Sequence, residues 1–224
     1  MNRFTHYQGR LRDLSVPLTL LICGILFDAA TAVYPPLSLG ASHGLRMRLF
    51  RLARVAAVAL PFLAIFLSAL AARVADENAA ARRALAAMLF GAAAMPLILA
   101  AAALTRIELR MLLPLPAIAV FFGAASAASL ARRHAGLLEL CGWRLVAASA
   151  AAGLIMGLYA FDAPLLGNFA GAYDGALRAF IRAAHEAAII AGMALIFLCQ
   201  VFEKKGAADE DRSHRYRGRQ AADA

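Results

Sequence analysis

Asp28, His185 and Glu186 are ionisable residues that fall inside long apolar stretches of this chain. Such groups are seldom kept there without use, because a charge at the middle of a bilayer costs at least about 2.5–3.5 kcal/mol on insertion scales. Asp28 stands about six residues from the end of its stretch, and His185 and Glu186 about five residues into theirs. At 1.5 Å of helical rise per residue, all three lie on the order of 7–9 Å below the same boundary. A site for a proton or a small substrate between the first and last stretches would therefore be lined by Asp28, His185 and Glu186, with Arg182 beside it and Asp162 closing the fifth stretch on that side. The competing account is structural. Asp174, Arg178, Arg182 and Glu186 recur every four residues and so share one helical face, where Asp174–Arg178 and Arg182–Glu186 have the spacing of ion pairs.

Other chemistry finds less support in the residues. Of the five histidines, His185 is the one within an apolar stretch, so the facing axial pair that commonly holds a haem between helices is missing. His43 and Met47 form an isolated i,i+4 pair, too little for copper. Cys23, Cys141 and Cys199 are widely spaced and give neither a disulfide framework nor a zinc site. There is no GxSxG, HExxH or phosphate-binding loop, and no DxxxD pair within a stretch. No metal and no cofactor is expected. Gly153 and Gly157 form a GxxxG, whose small residues let helix backbones approach closely; packing within the chain is its expected use.

The elements that must position these residues follow from composition. The 224 residues are 62% hydrophobic and 17% charged, far from the soluble average of roughly 45–50% and about 25%. The net charge of +9 sits in short clusters between apolar runs, where it meets anionic headgroups rather than nucleic acid. A hydrocarbon core of about 30 Å takes roughly 20 apolar residues to cross as a helix. Six runs qualify, approximately 15–34, 55–72, 85–104, 111–131, 145–161 and 180–202. They are rich in Ala and Leu and do not alternate, which excludes barrel strands. The fold class is all-α, a polytopic integral membrane helix bundle. Pro17 opens the first run and Pro35-Pro36 stop it, whereas Pro61 and Pro96 predict kinks inside theirs.

Residues 1–14 read as an amino-terminal tail and 203–224 as a polar tail without regular structure. Placing both ends in the cytoplasm puts Arg3, Arg10 and Arg12, then Arg73, Arg82 and Arg83, then Arg132, Arg133 and Arg144, and the six basic residues after Glu203 on the inner side. That is well over half of the 23 basic residues, as the positive-inside bias requires. Arg46, Arg48, Arg51 and Arg54 dissent. Leu45, Leu49 and Leu52 between them share a face, so this stretch is expected to lie partly along the interface with its arginines snorkelling. The start also has the shape of a signal peptide with a small-residue site after Ala32, but the apolar run continues past Asp28 and a retained helix is expected.

Three roles fit this reading. The first is a non-enzymatic accessory subunit or scaffold of a bacterial-type inner membrane, whose partners are the lipid bilayer and other membrane subunits or a second copy. The second is a small proton-coupled transporter using Asp28, His185 and Glu186. The third is a redox or haem protein with His185 as one ligand.

Overall fold

The fold was analysed in a computed structural model, which describes the backbone of residues 3–33, 44–74, 79–160 and 176–222, with side-chain surroundings for 14–32, 44–74, 79–155, 176 and 179–202. Backbone amides have no water to bond to inside a bilayer, so apolar segments satisfy them internally as helices. All the regular structure among the described residues is helical: α1 (Arg3–Val33), α2 (Leu45–Ala71), α3 (Ala79–Leu104), a 3-10 turn (Ile107–Leu112), α4 (Pro114–His134), α5 (Leu137–Ala160) and α6 (Ala176–Ala222). Each of the six helices contains a segment long and apolar enough to cross a membrane. The chain is an all-α, multi-pass membrane helix bundle.

Consecutive helices pack against one another, α1 on α2, α2 on α3, and so on to α6 on α5. Short connections between antiparallel helices favour this order. Lesser contacts join α1 to α3, α4 to α2, and α6 to α2. Helices α2 to α6 thus form a bundle closed by the α2–α6 contact, and α1 lies outside it. The face at which α1 begins is here the near face, and the face at which it ends is the far face.

The main core fills the near half, where Leu63, Leu67, Leu70, Met88, Trp143, Val146 and Ile196 are buried among the alanines of α3 and α4. A second cluster joins the far ends of α2 and α3 through Leu49, Phe50, Ala53, Leu99, Ala102 and Ala103. Phe27 of α1 meets Phe50 edge-on at 5.8 Å. The outer helices keep an apolar surface for lipid: Ile22, Leu26, Ile190, Phe197 and Phe202 are all exposed.

Several boundaries differ from the sequence reading. Helix α2 starts at Leu45, so Arg46, Arg48, Arg51 and Arg54 occupy its first turns and not a separate interfacial segment. Pro61 and Pro96 sit inside continuous helices. Pro114 is at the first position of α4, where its missing N–H costs nothing. Helix α5 begins at Leu137, eight residues before the expected start of the fifth span, and takes Glu139 and Trp143 into the bundle. The backbone of α6 stays helical to Ala222, beyond the polar boundary at Glu203. Residues 203–222 are rich in Ala, Glu, Lys and Arg, good helix formers that sustain this extension by propensity.

Candidate functional site

Small residues set how the functional side chains meet. A Cβ on Gly142 or Gly192 would lie 2.8 Å from the other glycine's carbonyl oxygen, so α5 and α6 touch backbone to backbone there. One helical face further along the same seam, Ser149 of α5 meets His185 of α6. The ring Nδ1 is 2.8 Å from both the Ser149 carbonyl oxygen and the Ser149 hydroxyl, and that hydroxyl donates to the His185 carbonyl at 2.8 Å. A carbonyl only accepts, so this contact assigns a proton to Nδ1. Nε2 is left as an acceptor, with no hydrogen-bond partner among the described residues. The ring lies over Gly153, where a Cβ would come within 2.7 Å of its Cε1.

His185 borders a cavity of about 220 Å³ in the far half of the bundle, walled by Leu52, Val55, Ala59, Leu60, Met95, Leu99, Leu113, Ala117, Leu154 and Ile189. Every helix from α2 to α6 contributes to it. Its walls are otherwise apolar. Met95 and His185 are the metal-ligating types that border it, but pockets for drug-sized ligands span roughly 300–1,000 Å³. A porphyrin does not fit this space. Among the described residues no cluster of three or more His, Cys, Asp or Glu could hold a metal ion.

Asp28 is elsewhere. Its Oδ1 accepts from Nε of Arg54 at 2.6 Å, both side chains being half-buried at the far end of the α1–α2 seam. Asp28 thus pairs within α1 and α2, while His185 is held by α5, and the expected Asp28–His185–Glu186 group does not assemble. Matched depth alone does not make neighbours; α1 packs on α2 and α3, and α6 on α5. Glu186, one residue after His185, points outward and is exposed, and Arg182 is half-buried. Asp162, Asp174 and His43 lie outside the described residues, as do the side chains of Arg178 and Gly157.

A third polar group, at the near end, escaped the sequence reading. Glu139 is fully buried; its Oε1 accepts from Arg73 at 2.5 Å and from the Gln200 amide at 3.4 Å, and that amide also donates to the Phe66 carbonyl at 3.2 Å. Four residues on, Trp143 is fully buried as well, and neither its Nε1 nor Glu139 Oε2 has a hydrogen-bond partner among the described residues. The signal available in sequence was the pairing of Glu139 with Trp143 at i,i+4, an acid and an amphipathic ring on one face of a helix start. No family model, curated protein or solved structure matches the chain.

Proposed function

We propose that this chain is a non-enzymatic accessory subunit or scaffold of a bacterial-type cytoplasmic membrane, with its near face and both ends on the cytoplasmic side. The observation that supports it is the separation of the polar groups: Asp28 is closed by Arg54, His185 by Ser149 and Glu139 by Arg73, each across a different helix pair. Catalysis or proton transfer calls for two or more such groups within hydrogen-bond reach of one reacting atom. These three tie helices together instead. The orientation rests on the basic residues, which concentrate on the near face. An accessory subunit exists in an assembly, so the protein extracted in mild detergent from its own membrane at native abundance is expected in native mass spectrometry at a fixed multiple of its 23.7 kDa, or with a second membrane polypeptide in constant ratio. A single chain carrying lipid and nothing else overturns the proposal.

A further inference from the structure

The seam between α2 and α6 is closed at one end and open at the other. At the near end Gln200 donates to the Phe66 carbonyl, and the rings of Phe66 and Phe197 lie 6.5 Å apart. Both helices run from the far face to the near face, so stepping back about four turns from these contacts brings His185 and Ile189 level with Leu52 and Val55. There residues of both helices line the cavity, and Leu52 and Val55 are exposed beside it.

From these features we infer that the cavity is a binding site for a membrane-dissolved amphiphile with a hydroxyl head and a hydrocarbon body, entering between α2 and α6. Three observations select that chemistry. The wall offers no charge among the described residues, which leaves a phosphate or carboxylate head uncompensated in a low-dielectric site. Its described lining holds one polar side chain, His185, and in the tautomer whose Nδ1–H donates to the Ser149 carbonyl the remaining Nε2 accepts and does not donate. A hydroxyl complements that acceptor; a ketone, ester or ether oxygen does not. The volume of about 220 Å³ exceeds the 150 Å³ of an engineered apolar cavity that binds benzene, and so suits a single ring or a short stretch of chain. The tail of a longer lipid remains outside among the acyl chains.

The test uses the full chain in phospholipid nanodiscs and two photoreactive probes that differ in one group: benzyl alcohol carrying a trifluoromethyl diazirine on the ring, and the toluene analogue that lacks the hydroxyl. The alcohol is expected to label Val55, Leu154 and Ile189 saturably, with unlabelled benzyl alcohol competing. Its apparent affinity is expected to exceed the toluene probe's roughly fivefold, the worth of one neutral hydrogen bond. His185→Phe, which keeps a ring over Gly153, should erase that preference. Ala117→Phe, which fills the cavity, should remove saturable labelling by both probes. Equal affinity of the two probes for the unmodified protein overturns the inference. So does labelling that never saturates and falls as heavily on the lipid-facing Ile190 and Phe197. The comparison on the unmodified protein decides the matter even if a variant fails to fold.

Discussion

Glu139 is the residue with most at stake. A carboxylate removed from all solvent contact depends on its counter-charge, and Arg73 supplies it from the turn that follows α2. Breaking a buried pair by removing one member costs on the order of 3–5 kcal/mol, because the remaining charge is stranded. Arg73 keeps part of its side chain in contact with solvent, so Arg73→Leu is expected at the lower end, about 3 kcal/mol, read as a fall in thermal unfolding temperature in detergent. The double variant Arg73→Leu/Glu139→Leu should recover most of that loss, since two apolar side chains strand no charge. A double variant as unstable as the single one would show that Arg73 acts through something other than Glu139. Glu139 was illegible in the sequence for a physical reason: with Arg144 five residues later, it makes the start of α5 read as a charged connection. Only the counter-charge 66 residues away makes that stretch fit for the interior.

The elements themselves were far more legible. Six apolar runs of spanning length became six helices, because a bilayer leaves a chain of this composition few alternatives. What the runs could not show was which helices meet. Equal depth placed Asp28 with His185, whereas the fold pairs Asp28 with Arg54, one of the arginines that ran against the charge bias and were read as snorkelling at the interface. The α5–α6 seam was visible in part. Gly142 and Ser149 are seven residues apart on α5, as are His185 and Gly192 on α6, and each pair recurs on one helical face. Glycines at such a contact have no room to grow. Gly192→Leu is expected to part the helices, since even its Cβ would lie 2.8 Å from the Gly142 oxygen and 2.8 Å from Val146 Cγ2. The check is a disulfide between cysteines at 149 and 185, which face each other across the seam, in a cysteine-free background: it should form readily in the parent and poorly beside Gly192→Leu. Unchanged disulfide yield would mean that the close approach does not hold the seam.

At the scale of the whole molecule, α1 belongs to the fold. Gly24 lies so close to Ala57 that a Cβ there would overlap its carbonyl oxygen, and Asp28 neutralises Arg54. Cleavage after Ala32 would discard both contacts and leave Arg54 half-buried without its carboxylate. The mature protein is therefore expected to retain α1, and an intact mass lacking residues 1–32 would refute this. Reporters fused after residue 205 and at Ala79 should be cytoplasmic, because the near face gathers the basic loops. A reporter active only outside the cytoplasm at residue 205 would invert the proposed orientation.

The main core fills the near half of the bundle, while the far half pairs a smaller buried cluster with a cavity of about 220 Å³, which makes it mechanically unequal along its axis. Packed side chains resist compression, while an unfilled space is volume that the molecule can surrender. Hydrostatic pressure or a thickened, tightly ordered far leaflet would squeeze the far half first and narrow it relative to the near half. Such a shape favours membrane bent around it, so the protein is expected to gather in curved regions as lateral pressure rises. Ala117→Phe, by filling the hollow, should abolish that preference in vesicles of graded diameter.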